Sequence, residues 1–243
     1  MIGVLGGMGP AATVDFMTKL VRLTPAERDQ DHVPVVVVSD PRIPDRVAPI
    51  MGGCGRSPLP ALRAGIRTLE QAGAACIAIP CHTAHFWYDE MLEASNVPIL
   101  HIADAVLSDL ARQGGTNGPI GLLATAATLK AGCYQERLGA AGYACTEPAP
   151  EIMATCVRPA IALVKRNRAA DAAPLLARAL SHLIKRGAQR VLLACTELPL
   201  VTPAAAHDPA VCLDATEALA RACIAWHREH GGETGNLVAS ARN

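Results

Sequence analysis

Two cysteines carry the chemistry that this sequence suggests. Cys81 closes the stretch Gly73-Ala74-Ala75-Cys76-Ile77-Ala78-Ile79-Pro80-Cys81, and Cys195 closes Gly187-Ala188-Gln189-Arg190-Val191-Leu192-Leu193-Ala194-Cys195. Each stretch opens on Gly-Ala, passes through a short apolar run and reaches its Cys eight positions after the glycine, with Thr83 or Thr196 close behind. This repeat predicts equivalent positions in two similar halves, with the thiols facing one another across a common cleft. A thiol with an ordinary pKa of about 8.5 is suited to moving protons to and from carbon near neutral pH. Two opposed thiols could take a proton from one face of a stereocentre and return one to the other, whereas a single base would tend to return it to the same face. Cys81 also precedes a helix-like segment, whose positive end would lower its pKa and which Thr83 could cap.

The elements that must position these thiols alternate between strand and helix. Ile2-Gly3-Val4-Leu5 reads as a strand entering the turn Gly6-Gly7-Met8-Gly9-Pro10, and Val14, Met17, Leu20 and Val21 follow at helical spacing. Val33–Ser39 is a β-branched run bounded by turn residues, as in a buried strand. Residues 40–57 are a long Gly- and Pro-rich loop, a kind of segment that often carries function. A helix from Pro58, the strand 75–80, a helix over 84–95, a strand 98–101 and a helix Ile102–Arg112 complete the first half. After the turn-rich break 113–119, Ile120-Gly121-Leu122-Leu123 echoes the first strand. Helices over 128–140, 151–166 and 171–186, the strand to Cys195, a strand at 211–214 and a helix over 215–229 follow.

Alternation of this kind implies parallel sheets covered on both faces, with ligands at the carboxyl ends of the strands. The expected fold is α/β: two pseudo-twofold-related α/β lobes with mostly parallel sheets and the active site in the cleft between them. The expected lobes are 1–98 with about 210–230, and 99–209, leaving 231–243 as a flexible tail.

Composition narrows the function. Of 243 residues, 51% are hydrophobic and 18% charged, enough to build a core and too apolar for disorder. Twenty-two Lys and Arg balance 22 Asp and Glu, so no basic face recommends nucleic acid or an anionic membrane, and 3% aromatics give little to stack bases on. The N-terminus lacks the basic start of a signal peptide, and no apolar run approaches the roughly 20 residues of a membrane span. Nine cysteines without a CxxC spacing suit neither a disulfide framework nor a zinc ribbon, which implies a reducing cytoplasm. Cys76, Cys133, Cys145, Cys156, Cys212 and Cys223 read as small core residues, and Cys54 lies in the Gly-rich loop. Cys81, His82, His85 and His101 lack the paired spacing of a metal site. Gly6-Gly7-Met8-Gly9 is neither a dinucleotide loop nor a P-loop. No lysine sits in a pyridoxal phosphate motif, so the expected chemistry needs no cofactor.

An ordered set of short stretches carries a resemblance. They are Gly6-Gly7-Met8-Gly9-Pro10, Arg28-Asp29-Gln30-Asp31-His32, Ile43-Pro44-Asp45-Arg46, Pro80-Cys81-His82-Thr83-Ala84-His85, Gly121-Leu122-Leu123-Ala124-Thr125, Val164-Lys165 and Ala194-Cys195-Thr196-Glu197. Together they span nearly the whole chain, which resembles the aspartate/glutamate racemase superfamily and within it the aspartate racemase branch. That resemblance implies a small acidic amino acid as substrate, two catalytic cysteines, no pyridoxal phosphate or metal, and a homodimer. It makes Cys81 and Cys195 the acid/base pair and Arg46 and Lys165 the cations near the side-chain carboxylate. It makes Thr83, Thr125 and Thr196 the groups that hold the α-carboxylate, and places Met8, His82 and Glu197 at the substrate. One position departs from the pattern: His82 stands where the family usually has Asn. A charged His82 would lower the Cys81 pKa, while a neutral one could take its proton. The same departure keeps open a related isomerase or decarboxylase of another dicarboxylate, and a non-catalytic acidic-amino-acid binding protein is the third reading.

Overall fold

The computed structural model describes residues 1–201, 208 and 210–231. The first half runs β1 (Ile2–Gly6), α1 (Pro10–Leu23), β2 (Val35–Ser39), α2 (Val47–Ile50), α3 (Leu59–Gln71), β3 (Cys76–Ala78), α4 (Tyr88–Leu92), β4 (Ile99–Leu100) and α5 (Ile102–Arg112). The second runs β5 (Ile120–Ala124), α6 (Ala126–Ala131), α7 (Cys133–Ala140), β6 (Cys145–Thr146), α8 (Pro150–Ile152), α9 (Arg158–Lys165), α10 (Ala169–Lys185), β7 (Arg190–Ala194), β8 (Cys212–Asp214) and α11 (Ala215–His230). All recorded strand pairs are parallel, and the two sheets share one topology: β2-β1-β3-β4 and β6-β5-β7-β8. The strands before Cys81 and Cys195 therefore occupy the same place in each sheet.

The repeat extends to atomic packing. In the first lobe the Ala74 N–H bonds the Leu69 carbonyl at 3.0 Å, and Gly73 takes φ +88° to close α3. In the second the Ala188 N–H bonds the Leu183 carbonyl at 3.0 Å, and Gly187 takes φ +92° to close α10. A left-handed φ at a helix end favours glycine. A Cβ on Gly3 would lie 2.8 Å from Ala74 Cβ, and one on Gly121 would lie 3.1 Å from Ala188 Cβ. Each helix end thus presses its alanine onto the central strand, where a Cβ on Gly3 would clash and one on Gly121 would be crowded.

One shared core joins the lobes. Ile2 and Val4 of β1, Leu122 and Ala124 of β5, Phe16 and Leu20 of α1, Val106 and Leu110 of α5, and Leu219 and Cys223 of α11 pack in a single apolar cluster. The outer faces have separate cores, built on Leu62, Ile66 and Leu69 in the first lobe and on Leu176, Leu180 and Leu183 in the second.

The lobe boundaries differ from the sequence reading. Ile99 and Leu100 pair with β3, so the first sheet extends past residue 98. The stretch assigned to the first lobe at 210–230 splits: β8 pairs with β7 in the second sheet, while α11 packs against both α1 and α5. A parallel strand stays beside its predecessor through a right-handed crossover, whereas the helix after it seeks the larger apolar surface between the sheets. The tail from residue 232 lies outside the described residues. Among the described residues no helix is long and apolar enough to cross a membrane.

A buried charge also ties the lobes. Lys19 on α1 is 7% exposed, and its Nζ lies 2.5 Å from Asp15, 2.6 Å from Asp214 and 2.7 Å from the Thr216 hydroxyl. Asp214 also accepts from Thr216 N–H and Glu217 N–H at the start of α11, so one lysine anchors β8 and α11 to the first lobe. Removing one partner of a buried ion pair leaves the others uncompensated. Lys19→Met is expected to lower the unfolding free energy by about 3 kcal/mol in urea titrations, and a loss under about 1 kcal/mol, the ceiling for a surface pair, would rule out this anchoring role.

Candidate active site

The carboxyl ends of the strands converge on one cavity. It is lined by Met8, Arg46, Cys81, His82, Thr83, Thr125, Lys165, Cys195, Thr196 and Glu197, all ten of the residues singled out in the sequence, together with Asp45 and Val47. Met8 comes from the turn after β1, Cys81–Thr83 follow β3, Thr125 follows β5 and Cys195–Glu197 follow β7. Arg46 arrives on the loop before α2, and Lys165 ends α9. The two cysteines are 4% and 5% exposed, so the cleft holds both away from bulk water.

Local structure explains each placement. Gly7 takes φ +92°, and a Cβ there would come within 2.4 Å of the Asp40 backbone, so the turn that presents Met8 requires glycine. Thr13 Oγ1 braces the same turn by accepting the Gly7 N–H at 2.9 Å and donating to the Gly9 carbonyl at 3.1 Å. The loop 40–57 is ordered by Asp45, whose carboxylate accepts the Val47 and Ala48 N–H groups at the start of α2. Arg46 Nη1 donates to the Ile43 and Pro44 carbonyls at 3.1 and 2.9 Å, while its buried Nε has no partner among the described residues. The guanidinium is thus fixed by the loop with donor capacity left for a carboxylate. Lys165 sits at the mouth, its side chain about half exposed and its Nζ 3.8 Å from Glu197 Oε1.

The electrostatics of the two thiols differ. Burial raises the Cys81 pKa, with the Arg46 charge, the Ala84 N–H and Lys165 pulling the other way and Glu197 adding to the rise. Burial, then the Glu197 carboxylate, raises Cys195 well above its ordinary value. The Cys195 thiol donates to Glu197 Oε2 at 3.0 Å, and the Thr196 hydroxyl donates to the same oxygen at 3.3 Å. Glu197 therefore holds Cys195 in its protonated form, while the cations beside Cys81 favour its thiolate.

Two expectations are corrected here. The sequence reading has a helix dipole lowering the Cys81 pKa, but the chain after it forms a short 3₁₀ turn, Thr83–Trp87, and the five-residue α4, and burial outweighs what they supply. Thr83 caps neither. Its hydroxyl lies 3.1 Å from that of Thr128, which lies 2.9 Å from that of Thr125, so three hydroxyls bridge the lobes. Thr125 Oγ1 also caps α6 by accepting the Thr128 N–H.

Burial lowers the pKa of the three histidines around Cys81, His82, His85 and His101. His82 is buried, and burial followed by the nearby His85 pushes its pKa down to about 3. Its Nδ1 lies 2.6 Å from Tyr134 Oη. His85, down to about 4 by burial, has Nδ1 2.9 Å from the Cys81 carbonyl and accepts the Ile102 N–H at Nε2, clamping the Cys81 backbone to the start of α5. His101 Nδ1 accepts the Ala103 N–H as the cap of the same helix. Sequence reasoning did not reach Asp45, Val47, Thr128 or Tyr134. Thr128, three residues after a capping Thr125, fits a cap pattern; nothing local marks Tyr134 as the partner of His82.

The family model for Asp/Glu/Hydantoin racemase matches residues 5–223. The chain belongs to the Asp/Glu/hydantoin racemase family. Among solved structures of similar proteins, the Picrophilus torridus aspartate racemase is 34% identical, superposes with a TM-score of 0.82 and aligns over 93% of each chain. The broad specificity amino-acid racemase RacX of Bacillus subtilis strain 168 is 29% identical over 205 residues, 83% of this chain and 87% of its own. The Francisella tularensis glutamate racemase solved with D-glutamate, 17% identical with a TM-score of 0.68 over 95% of this chain and 81% of that one, shares the two-lobed fold.

If Glu197 suppresses the Cys195 thiolate, then Glu197→Gln should speed Cys195 alkylation by iodoacetamide at mildly alkaline pH about tenfold, the equivalent of one pKa unit. Cys81, which Glu197 reaches only through space, should change much less. Peptide mass spectrometry after timed quenching reads both sites in one sample, and equal acceleration at both would refute the assignment.

Proposed function

We propose that the protein is a cofactor-independent amino-acid racemase in which Cys81 and Cys195 act as base and acid, with aspartate as substrate and glutamate as the next candidate. The observation that carries this reading is the convergence of two buried thiols, from equivalent strand ends of two lobes, on a cavity that also presents Arg46 and Lys165. Arg46 and Lys165 take the side-chain carboxylate. The hydroxyls of Thr83, Thr125 and Thr196 hold the α-carboxylate, which carries the charge that develops when the α-proton leaves. The Cys81 thiolate takes that proton from one face. The Cys195 thiol then gives its own proton to the opposite face of the same carbon, leaving Cys81 protonated and Cys195 as thiolate, ready for the reverse direction.

We place the enzyme in a reducing cytoplasm, where nine free thiols persist, and as a homodimer. The exposed apolar residues Val14 and Val21 of α1 and Val37 of the edge strand β2 give a second copy a face to cover. Sedimentation velocity reads this directly: a dimer in the wild type and a shift toward monomer in a Val14→Glu/Val21→Glu double variant.

Purified protein with no added cofactor should interconvert L- and D-aspartate and place deuterium from solvent at the α-carbon of the product. Cys81→Ala and Cys195→Ala should each fall below about 1% of wild-type racemisation, the scale of a lost general acid or base. Full racemisation by both variants would sink the two-thiol mechanism. Aspartate binding with no exchange would instead mark a binding protein, and carbon dioxide release or turnover only of non-amino dicarboxylates would mark the related isomerase or decarboxylase. Because the base must be ionised and burial raises its pKa, kcat/KM should climb as pH rises through 7 and remain short of its plateau at about pH 8.5, the ordinary thiol value. Arg46→Ala should both raise KM and push this limb further to alkaline pH, since it removes a charge that lowers the Cys81 pKa.

A further inference from the structure

The two-thiol chemistry leaves one buried pair without a task. Tyr134 lies on α7 of the second lobe and is 1% exposed; His82 follows Cys81 in the first lobe and is 3% exposed. Their rings stand 5.6 Å apart at 45°, joined by the 2.6 Å contact between Tyr134 Oη and His82 Nδ1. No further hydrogen bond reaches Tyr134 Oη among the described residues, and His82 Nε2 is buried with no partner, although the ring lines the cavity.

Proton counting gives the direction of that bond. If Nδ1 donated, the phenol's own proton and the Nε2 lone pair would both be buried and unpaired. If the phenol donates, only an N–H on Nε2 is left over. Every buried polar group left unpaired is costly, so the arrangement with one outstanding group prevails. Burial disfavours charge on either ring, holding the His82 pKa down and the Tyr134 phenol well above its usual range.

We infer that Tyr134 fixes His82 as its Nε2–H tautomer and that this N–H donates a hydrogen bond to a carboxylate oxygen of the bound substrate. The inference rests on the racemase reading for its substrate. His82 is then a specificity group and Tyr134 the positioning residue behind it. The arrangement has two consequences. With its proton on Nε2 the imidazole shows the cavity no lone pair, so it does not compete with the thiols as a base. A ligand lacking an acceptor at that point leaves the N–H unpaired, which is how a polar site rejects an apolar analogue.

Protein labelled with nitrogen-15 histidine tests this directly. The His82 resonances, assigned by their loss in His82→Gln, should show a protonated Nε2 and an unprotonated Nδ1. They should not titrate between about pH 5 and 9, the window in which an unperturbed histidine does. Adding aspartate should shift the Nε2 signal. Tyr134→Phe should yield a mixture of tautomers and raise KM for aspartate about tenfold, the worth of one hydrogen bond to a charged group, with kcat changed much less. His82→Gln, which keeps an N–H near Nε2, should stay within a few-fold of wild type in kcat/KM, whereas His82→Leu should lose at least about tenfold. A protonated Nδ1, a tautomer unmoved by Tyr134→Phe, or equal losses for the Gln and Leu variants would overturn the inference. If the wild type turns over no aspartate, the labelled spectra still report the tautomer, and the missing aspartate-induced shift then counts against the donor role. The wrong tautomer in a working racemase overturns this inference alone.

Discussion

Burying two thiols in one cleft is the constraint to which the rest of the molecule answers. A thiol in a dry cavity is a poor acid, because its anion has lost its water. On the proposed mechanism burial serves opposed proton transfer, because it keeps water from replacing either thiol as proton donor or acceptor. The fold buries both sulfurs and tunes their ionisation selectively. Arg46 and Lys165 lean toward the Cys81 thiolate, while Glu197 accepts the Cys195 proton in a direct hydrogen bond. Equivalent positions in the fold therefore do not have equivalent chemistry. On the proposed mechanism this asymmetry makes Cys81 the first base and Cys195 the first acid, and turnover exchanges their states.

The duplicated architecture supplies the opposition, and the junction between lobes supplies its precision. Gly3 and Gly121 let Ala74 and Ala188 press onto the central strands, which fixes β3 and β7 and with them the cysteines that follow. The inner faces of both sheets share one core with α1, α5 and α11, so the lobes cannot separate without exposing it. Across the cleft, Thr83–Thr128–Thr125 and His82–Tyr134 are hydrogen-bonded links from the first lobe to the second, both immediately beside Cys81. Lys19 of α1 makes a third link, to Asp214 and Thr216 at the start of α11.

Much of this was legible in the chain because the repeat is punctuated by residues with few alternatives. A glycine that must take a left-handed φ, an alanine that must be small and a cysteine at a strand end recur at one spacing, and the structure puts them in one arrangement twice. Both sheets, and the gathering of ten site residues in one cavity, follow from that reading. What it missed depends on contacts distant in sequence or on very short elements. β4 and β6 are two residues each, too short for a period to show, and α2 is a four-residue turn held by Asp45 inside a stretch that reads as loop. Pro159 does not end its helix, because a wider π turn at Met153–Val157 precedes it and the proline falls in the first turn of α9. The transfer of β8 to the second sheet reflects competition between neighbouring strands, which no local pattern records. The raised Cys81 pKa belongs to the same class: the helix dipole is a local expectation, and burial is a property of the whole fold.

The residues after the two thiols show how a symmetric frame is made to serve an asymmetric task. Cys195 is followed by Thr196-Glu197, which puts a charged acceptor beside its sulfur. Cys81 is followed by His82-Thr83, and both side chains turn to partners in the other lobe. A carboxylate next to Cys81 as well would have raised both thiols together, and neither would have ionised readily. A cationic histidine there would have lowered Cys81 but required burial of a second charge near Arg46. A His82 whose pKa burial lowers, hydrogen-bonded to a phenol whose pKa burial raises, avoids both. It places a polar group in the cleft while leaving the charge balance there to Arg46, Lys165 and Glu197. On the proposed mechanism the pseudo-twofold sets where the protons move, and the few side chains that break it set which thiol moves one first.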